Sequence, residues 1–99
     1  MPITITVDPP TGNITVDPSI AYFLKGAVVQ WQLTNSPTSL TVSFKAGTPF
    51  NAQQLRGSTG SVESGILMDA ATGVYHYAVS ALVGDKIYAI PGCPEIVVG

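Results

Sequence analysis

The sequence has little charge. Only 10% of its 99 residues are Asp, Glu, Lys or Arg, against about 25% in an average globular protein. The formal net charge is −2, and the four cations, Lys25, Lys45, Arg56 and Lys86, are scattered along the chain. Because binding to a phosphate backbone needs clustered basic side chains, the composition argues against a nucleic-acid partner.

Cysteine and histidine are also scarce. The single cysteine, Cys93, rules out a disulfide within the chain, and the single histidine, His76, rules out a site built from two histidines of one chain. Cys93 lies in the turn-forming segment PGCP, so we expect a free thiol in a loop. A nucleophilic pair of Cys93 and His76 would need a third, orienting group, which the sequence does not indicate.

Long hydrophobic runs are absent. No segment approaches the roughly 20 apolar residues of a membrane-spanning helix, which predicts no membrane span. The N-terminal MPITITV has no basic region, apolar stretch or cleavage site of a signal peptide. The compartment therefore stays open: we expect a periplasmic or secreted protein if a signal has been removed, and a cytoplasmic one otherwise.

The sequence consists mainly of short segments in which apolar and polar residues alternate. This period of two, with turns rich in Gly and Pro between the segments, predicts an all-β sandwich or barrel, and the length predicts one domain over residues 1–99. The second predicted strand repeats the first, since ITVDP occurs at residues 5–9 and again at 14–18. Strands are predicted in residues 3–7, 14–16, 27–34, 40–44, 62–68, 74–79, 86–90 and 95–98.

Two regions do not fit the strand pattern. Residues 19–24 mix apolar and aromatic side chains, and residues 51–55 have the composition of one helical turn, so a short helix is an alternative in both. Residues 45–61 contain three glycines and one proline, which predicts a long connection. Long connections often carry functional surfaces.

The order of motifs along the chain resembles the cupredoxin family, the plastocyanin-like and azurin-like domains. GAVVQWQLTN is followed by SLTVSF, a variable stretch, TGVYHY and a terminal IVV. The resemblance spans residues 26–98 and implies a Greek-key β-sandwich. An immunoglobulin-like sandwich is the alternative.

The resemblance also implies where copper ligands would lie. Family members hold copper with two His, one Cys thiolate and usually an axial Met. In this sequence the corresponding positions are Leu40 and Leu82 for the histidines and Val79 for the cysteine, and residues 81–99 contain no Met. We therefore expect these three side chains to fill the former metal pocket as hydrophobic core. His76 is expected on the opposite strand face, facing solvent.

No catalytic, cofactor-binding or metal-binding residue is predicted, and no cofactor. The aromatic residues are expected mainly in the core, with Trp31 as its anchor. The favoured function is a non-enzymatic binding, assembly or structural module that contacts a protein partner or associates with itself. One alternative is electron transfer or metal handling through His76, Cys93 and Met68, and another is binding of a small ligand or carbohydrate by the 45–61 connection. An aromatic platform for sugars or peptides is an alternative for Tyr22, Phe23, Tyr75, Tyr77 and Tyr88. Most of them lie at alternating strand positions, so packing in the core is the favoured prediction.

Overall fold

A computed structural model describes residues 3–8, 12–33, 39–57, 60–83, 86–90 and 92–99. Within these ranges the chain forms β-strands joined by turns and contains no α-helix, so no helix there could span a membrane. The strands are β1 (Ile3–Asp8), β2 (Asn13–Asp17), β3 (Ile20–Phe23), β4 (Val28–Leu33), β5 (Leu40–Phe44), β6 (Gln54–Gly57), β7 (Ser61–Gly65), β8 (Gly73–Val83), β9 (Lys86–Ala89) and β10 (Glu95–Val98).

The strands form two sheets. The smaller sheet has the order β2-β1-β4-β7, and the larger has the order β3-β10-β8-β5-β6, with β9 also paired to β8. Two of the pairings are parallel, β1 with β4 and β3 with β10. The long strand β8 pairs with β10 over residues 73–76 and with β9 over residues 80–83. The predicted all-β class is confirmed.

The core lies between the sheets and follows from the alternation in the sequence. On β4, Val29, Trp31 and Leu33 are buried, whereas Val28 and Gln32 are exposed. The same alternation buries every second residue of β1, β2 and β5. Because successive side chains of a strand point to opposite faces, a period of two places one apolar row of each strand inside.

Four aromatic rings form the centre of the core. Trp31 packs edge-on against Phe50 and Tyr77, with ring centroids 5.6 and 5.7 Å apart. Phe44 lies 5.4 Å from both Phe50 and Tyr77. Such tilted arrangements set the positive edge of one ring against the negative face of another. The prediction that Trp31 anchors the core is confirmed.

Most predicted strands are confirmed, and the repeated ITVDP segments pair with each other. Ile5 lies opposite Val16 and Val7 opposite Ile14 in an antiparallel ladder. The two repeats are thus the two arms of one hairpin.

The helical alternatives are wrong. Residues 20–23 form strand β3, which pairs with β10, and residues 54–57 form strand β6, which pairs with β5. The predicted long connection of residues 45–61 is therefore interrupted by a strand. In both places pairing with a neighbouring strand outweighs a weak local preference, since strand formation depends on its neighbours more than on intrinsic propensity.

Candidate functional site

The positions that correspond to copper ligands lie at the centre of the larger sheet. Leu40 on β5 pairs with Ala81 on β8, and Val42 pairs with Val79, so Leu40 and Val79 are diagonal neighbours on the inner face. Leu40 is 0% exposed and Val79 is 1% exposed. The expectation that both are buried is confirmed, and their hydrocarbon side chains offer no atom that binds a metal.

The expectation for the third position, Leu82, is wrong. Leu82 is 37% exposed and lies on the outer face, where it pairs with Ile87 of β9. The inner position beside it belongs to Ala81, which is buried. The reason is that β8 continues as a regular strand to Val83, so the alternation of its side chains turns Leu82 outward.

The metal-handling alternative requires His76, Cys93 and Met68 to lie together, but each of them contacts a different residue. His76 faces outward as predicted and lies beside Glu95, with Nδ1 3.8 Å from Oε2. The Nζ of Lys45 donates a hydrogen bond to the Cys93 sulfur over 3.1 Å, and the Met68 sulfur lies against Gly26. In the part of the chain that the structure describes, no three His, Cys, Asp or Glu side chains are close enough together to hold a metal ion.

Cys93 is exposed, and it has no disulfide partner among the described residues, as predicted for a free thiol in a loop. One residue, Pro94, separates Cys93 from the first residue of β10.

The aromatic core contains two polar atoms with no hydrogen-bond partner among the described residues, Trp31 Nε1 and Tyr77 Oη. Burial raises the pKa of Tyr77 to about 12, because the phenolate would lose its hydration, and the neighbouring Trp31 N–H opposes that shift by a smaller amount. Both groups are enclosed in the hydrophobic core, where no substrate could reach them.

The outer surface of the larger sheet is apolar at its β3 end. Tyr22 of β3 pairs with Val97 of β10, and Val97 pairs with Val74 of β8, so these three side chains form one row across the sheet. Ile20 lies two residues before Tyr22 on the same strand face, and Leu24 follows the strand. These five residues, Ile20, Tyr22, Leu24, Val74 and Val97, are called the apolar face below.

The apolar face is open to solvent. Tyr22 is 76% exposed, Leu24 72%, Val74 52% and Ile20 46%, and Val97 is half-buried. The prediction that Tyr22 packs in the core is wrong, because Ala21 and Phe23 occupy the inward positions of β3 and leave Tyr22 outside. Tyr77 and Tyr88 are buried as expected, and Phe23 and Tyr75 are partly buried.

An open groove runs beside β3. It has a volume of about 450 Å³ and is lined by Ile3 of the smaller sheet together with Pro18 and the four residues of β3. All of these are apolar side chains, apart from the Tyr22 hydroxyl. The groove and the apolar face thus flank the same strand.

One backbone edge of β3 is unpaired. The strand pairs with β10 on one side, and no strand among the described residues pairs with the other. Glu95 N–H donates to the Ser19 carbonyl and Gly99 N–H donates to the Phe23 carbonyl, so the odd-numbered residues face β10. The N–H and C=O groups of Ile20 and Tyr22 therefore point towards the open edge, since alternate residues of a strand bond to opposite sides.

The β3 edge differs from the other edges in its lack of charge. Each of the other outer strands in the described part of the chain carries a charged residue: Asp17 on β2, Arg56 on β6, Glu63 on β7 and Lys86 on β9. Charged side chains on an edge strand oppose unwanted pairing with another chain. In β3, IAYF, no such residue is present.

Among solved structures, the chain is similar to a novel purple cupredoxin from Nitrosopumilus maritimus. The TM-score is 0.55 at 16% sequence identity, and the match covers 97% of this chain and 98% of that one. The fold is cupredoxin-like. This agrees with the resemblance seen in the order of sequence motifs, and it favours that arrangement over the immunoglobulin-like alternative.

The similarity lies in the fold and not in the sequence. No family model matches the chain, and no curated protein sequence matches it. In the cupredoxin-like fold of this chain, Leu40 and Val79 are inner neighbours and Leu82 is an outer residue.

The sequence contains a signal for the apolar face that the alternation of apolar and polar residues does not show. All five residues from Ile20 to Leu24 are apolar or aromatic, so both faces of the strand are apolar. A strand with one face in solvent normally alternates apolar with polar residues. Five apolar residues in succession therefore predict that the outer face of this strand is apolar as well.

Proposed function

We propose that this chain is a non-enzymatic, copper-free cupredoxin-like module that binds a protein through its apolar face. The observation that carries the proposal is the row Tyr22–Val97–Val74 on the solvent side of the larger sheet. Burying a side chain of this size contributes about 1.5–3 kcal/mol. A contiguous exposed patch on an otherwise folded domain commonly marks a contact surface.

The buried pair Leu40 and Val79 supports the copper-free part of the proposal. Copper in this coordination chemistry requires imidazole and thiolate ligands, and both positions hold aliphatic side chains in the core. Replacing polar ligands by aliphatic ones also removes the cost of burying polar groups next to the aromatic core.

A hydrophobic fluorescent dye tests the apolar face directly. We expect the native protein to bind the dye, and Val74→Lys to reduce the fluorescence because it places a charge at one end of the row Tyr22–Val97–Val74. Ile87→Lys is the matched control, since Ile87 is 78% exposed but lies on β9, outside the apolar face. Equal fluorescence from both variants would count against a specific apolar contact surface.

Calorimetric titration with Cu(I), Cu(II) and Zn(II) tests the competing metal-handling hypothesis. The proposal predicts no stoichiometric tight binding of any of the three ions. Tight binding at one ion per chain that is lost in His76→Ala would instead establish the alternative that involves His76, Cys93 and Met68.

A further inference from the structure

We infer that Cys93 and Lys45 form an oxidation site, at which a peroxide converts their hydrogen bond into a reversible covalent cross-link between sulfur and nitrogen. Lys45 Nζ lies 3.1 Å from Cys93 Sγ, although the two residues are 48 positions apart in the chain. Cys93 is exposed, so a small oxidant in the solvent can reach its sulfur. The site involves none of the residues of the apolar face, and the inference does not rest on the proposed function.

The backbone holds the two residues on either side of β8. Strands β5 and β10 both pair with β8, one on each side. Lys45 follows β5 directly, and its N–H donates to the His76 carbonyl over 3.2 Å. On the other side, the Tyr77 N–H donates over 3.1 Å to the carbonyl of Pro94, the residue after Cys93. The contact between Lys45 and Cys93 therefore crosses β8 at the level of these two hydrogen bonds.

The amine of Lys45 has no carboxylate partner among the described residues. Glu95, two residues after Cys93, has its carboxylate beside His76, with Oε2 3.8 Å from Nδ1. The side-chain hydrogen bond that Lys45 makes in this part of the chain is the one to the Cys93 sulfur. The nitrogen is therefore directed at the atom that a peroxide oxidises.

The reaction has two steps. A peroxide transfers one oxygen atom to the Cys93 sulfur, which is oxidised by two electrons to a sulfenic acid, and the peroxide is reduced to water or an alcohol. Lys45 then gives its ammonium proton to the solvent and attacks the sulfur with the nitrogen lone pair. An S–N bond forms, the S–O bond breaks, and the oxygen leaves as water with a second proton from the nitrogen. Condensation of a sulfenic acid with a protein nitrogen gives a sulfenamide.

Thiols reverse the cross-link. Two molecules of a thiol reduce the S–N bond, are themselves oxidised to a disulfide, and return Cys93 and Lys45 to the thiol and the amine. The state of the site thus depends on the balance between peroxide and thiol. While the cross-link is present, it joins the end of β5 to the segment before β10, and closing a loop of this length should raise the Tm by on the order of 10 °C.

Mass spectrometry of the intact, denatured chain after peroxide treatment tests the inference. We expect the wild type to lose the mass of two hydrogen atoms and to regain it with a thiol reductant. Lys45→Arg is the matched control, because it keeps a cation beside the sulfur while the guanidinium stays protonated and cannot attack. This variant should gain oxygen atoms instead, as the sulfenic acid is oxidised further. Lys25→Arg leaves the pair intact and should behave like the wild type.

Peptide mapping locates the bond. Trypsin cleaves after Lys and Arg but does not cleave after a modified Lys45. The cross-linked chain should therefore give residues 26–56 joined to residues 87–99. Thermal unfolding of the same samples should show the rise in Tm for the wild type and no rise for Lys45→Arg.

Three results would overturn the inference. The first is a wild type that gains only oxygen atoms, and the second is a dimer linked through a Cys93 disulfide in place of the cross-link. The third is a Lys45→Arg variant that loses two hydrogen atoms as the wild type does. The dye and metal results of the proposed function would stand in each of these cases, because neither depends on the cross-link.

Discussion

Leu40 and Val79 are diagonal neighbours on the inner face of the larger sheet, although Leu82, three residues further along β8, faces the opposite side. The resemblance to cupredoxins predicted one aliphatic cluster of three. The structure instead separates two core residues from one surface residue. This separation leads to the first prediction.

Truncating the two leucines should have different effects on stability. Leu40→Ala removes a fully buried side chain and should lower the free energy of unfolding by about 2–5 kcal/mol, through lost burial and the cavity left behind. Leu82→Ala alters a partly exposed residue and should cost less than about 1.5 kcal/mol. Urea unfolding followed by tryptophan fluorescence measures both. Equal losses in the two variants would contradict the outward placement of Leu82.

Stability should fall at alkaline pH because of Tyr77. Its pKa is raised from 10.0 to about 12 in the folded protein. Between these values the unfolded chain releases the phenol proton while the folded chain keeps it. Tyr77 therefore does not lower the free energy of unfolding below pH 10, and it lowers it progressively as pH rises towards 12. The loss attributable to Tyr77 is about 3 kcal/mol at most.

Tyr77→Phe isolates that effect. The variant should remove most of the alkaline loss, and at neutral pH it should raise the unfolding free energy by about 1 kcal/mol, because it deletes a buried hydroxyl without a partner. Tyr22→Phe is the control, since Tyr22 is largely exposed. Unfolding measured from pH 7 to 12 separates the two. A Tyr77→Phe profile identical to that of the wild type would refute the assignment.

Gly57 is required where the chain passes between the sheets. Strand β6 ends at Gly57 in the larger sheet and β7 begins at Ser61 in the smaller one. A Cβ at position 57 would overlap the Ser61 carbonyl, whereas a Cβ at Gly65 meets nothing within 4 Å. Gly57→Ala should therefore lower the unfolding free energy by about 1–3 kcal/mol. Gly65→Ala should change the unfolding free energy by less than about 1 kcal/mol. Thermal unfolding of the two variants measures both changes.

Cys93 should react with thiol reagents in the folded protein. It is exposed and free among the described residues, beside Lys45 Nζ. We expect one equivalent of thiol to be titrated without denaturant, and Cys93→Ser to leave the unfolding free energy unchanged within about 0.5 kcal/mol. Reaction only after denaturation would show that the thiol is covered.

Much of the fold could be predicted from local alternation. Val29, Trp31 and Leu33 on β4, and Leu40 and Val42 on β5, show a period of two that places them in the core. The pairing of the repeated hairpin could not be predicted, because identical alternation suits strands in the same sheet and in opposite sheets. Sheet order depends on contacts between residues far apart in the chain, which local patterns do not contain.

The candidate surface was harder to predict, for two reasons. Strand β3, Ile20–Phe23, has no clearly polar residue, so its sequence does not show which side chains face the solvent. The end of β8 presents the same difficulty, since Ala81, Leu82 and Val83 are all apolar and the period does not show which of them points inward. Both ambiguities are resolved only by the partner strands, β10 for β3 and β9 for the end of β8.

Native mass spectrometry after incubation with copper and removal of the excess by a chelator tests the copper-free claim most directly. Because the inner positions hold Leu40 and Val79 and no cluster of metal-binding side chains is present in the described ranges, the chain is expected at its metal-free mass. Retention of one copper ion per chain, abolished by His76→Ala, would contradict the proposed function.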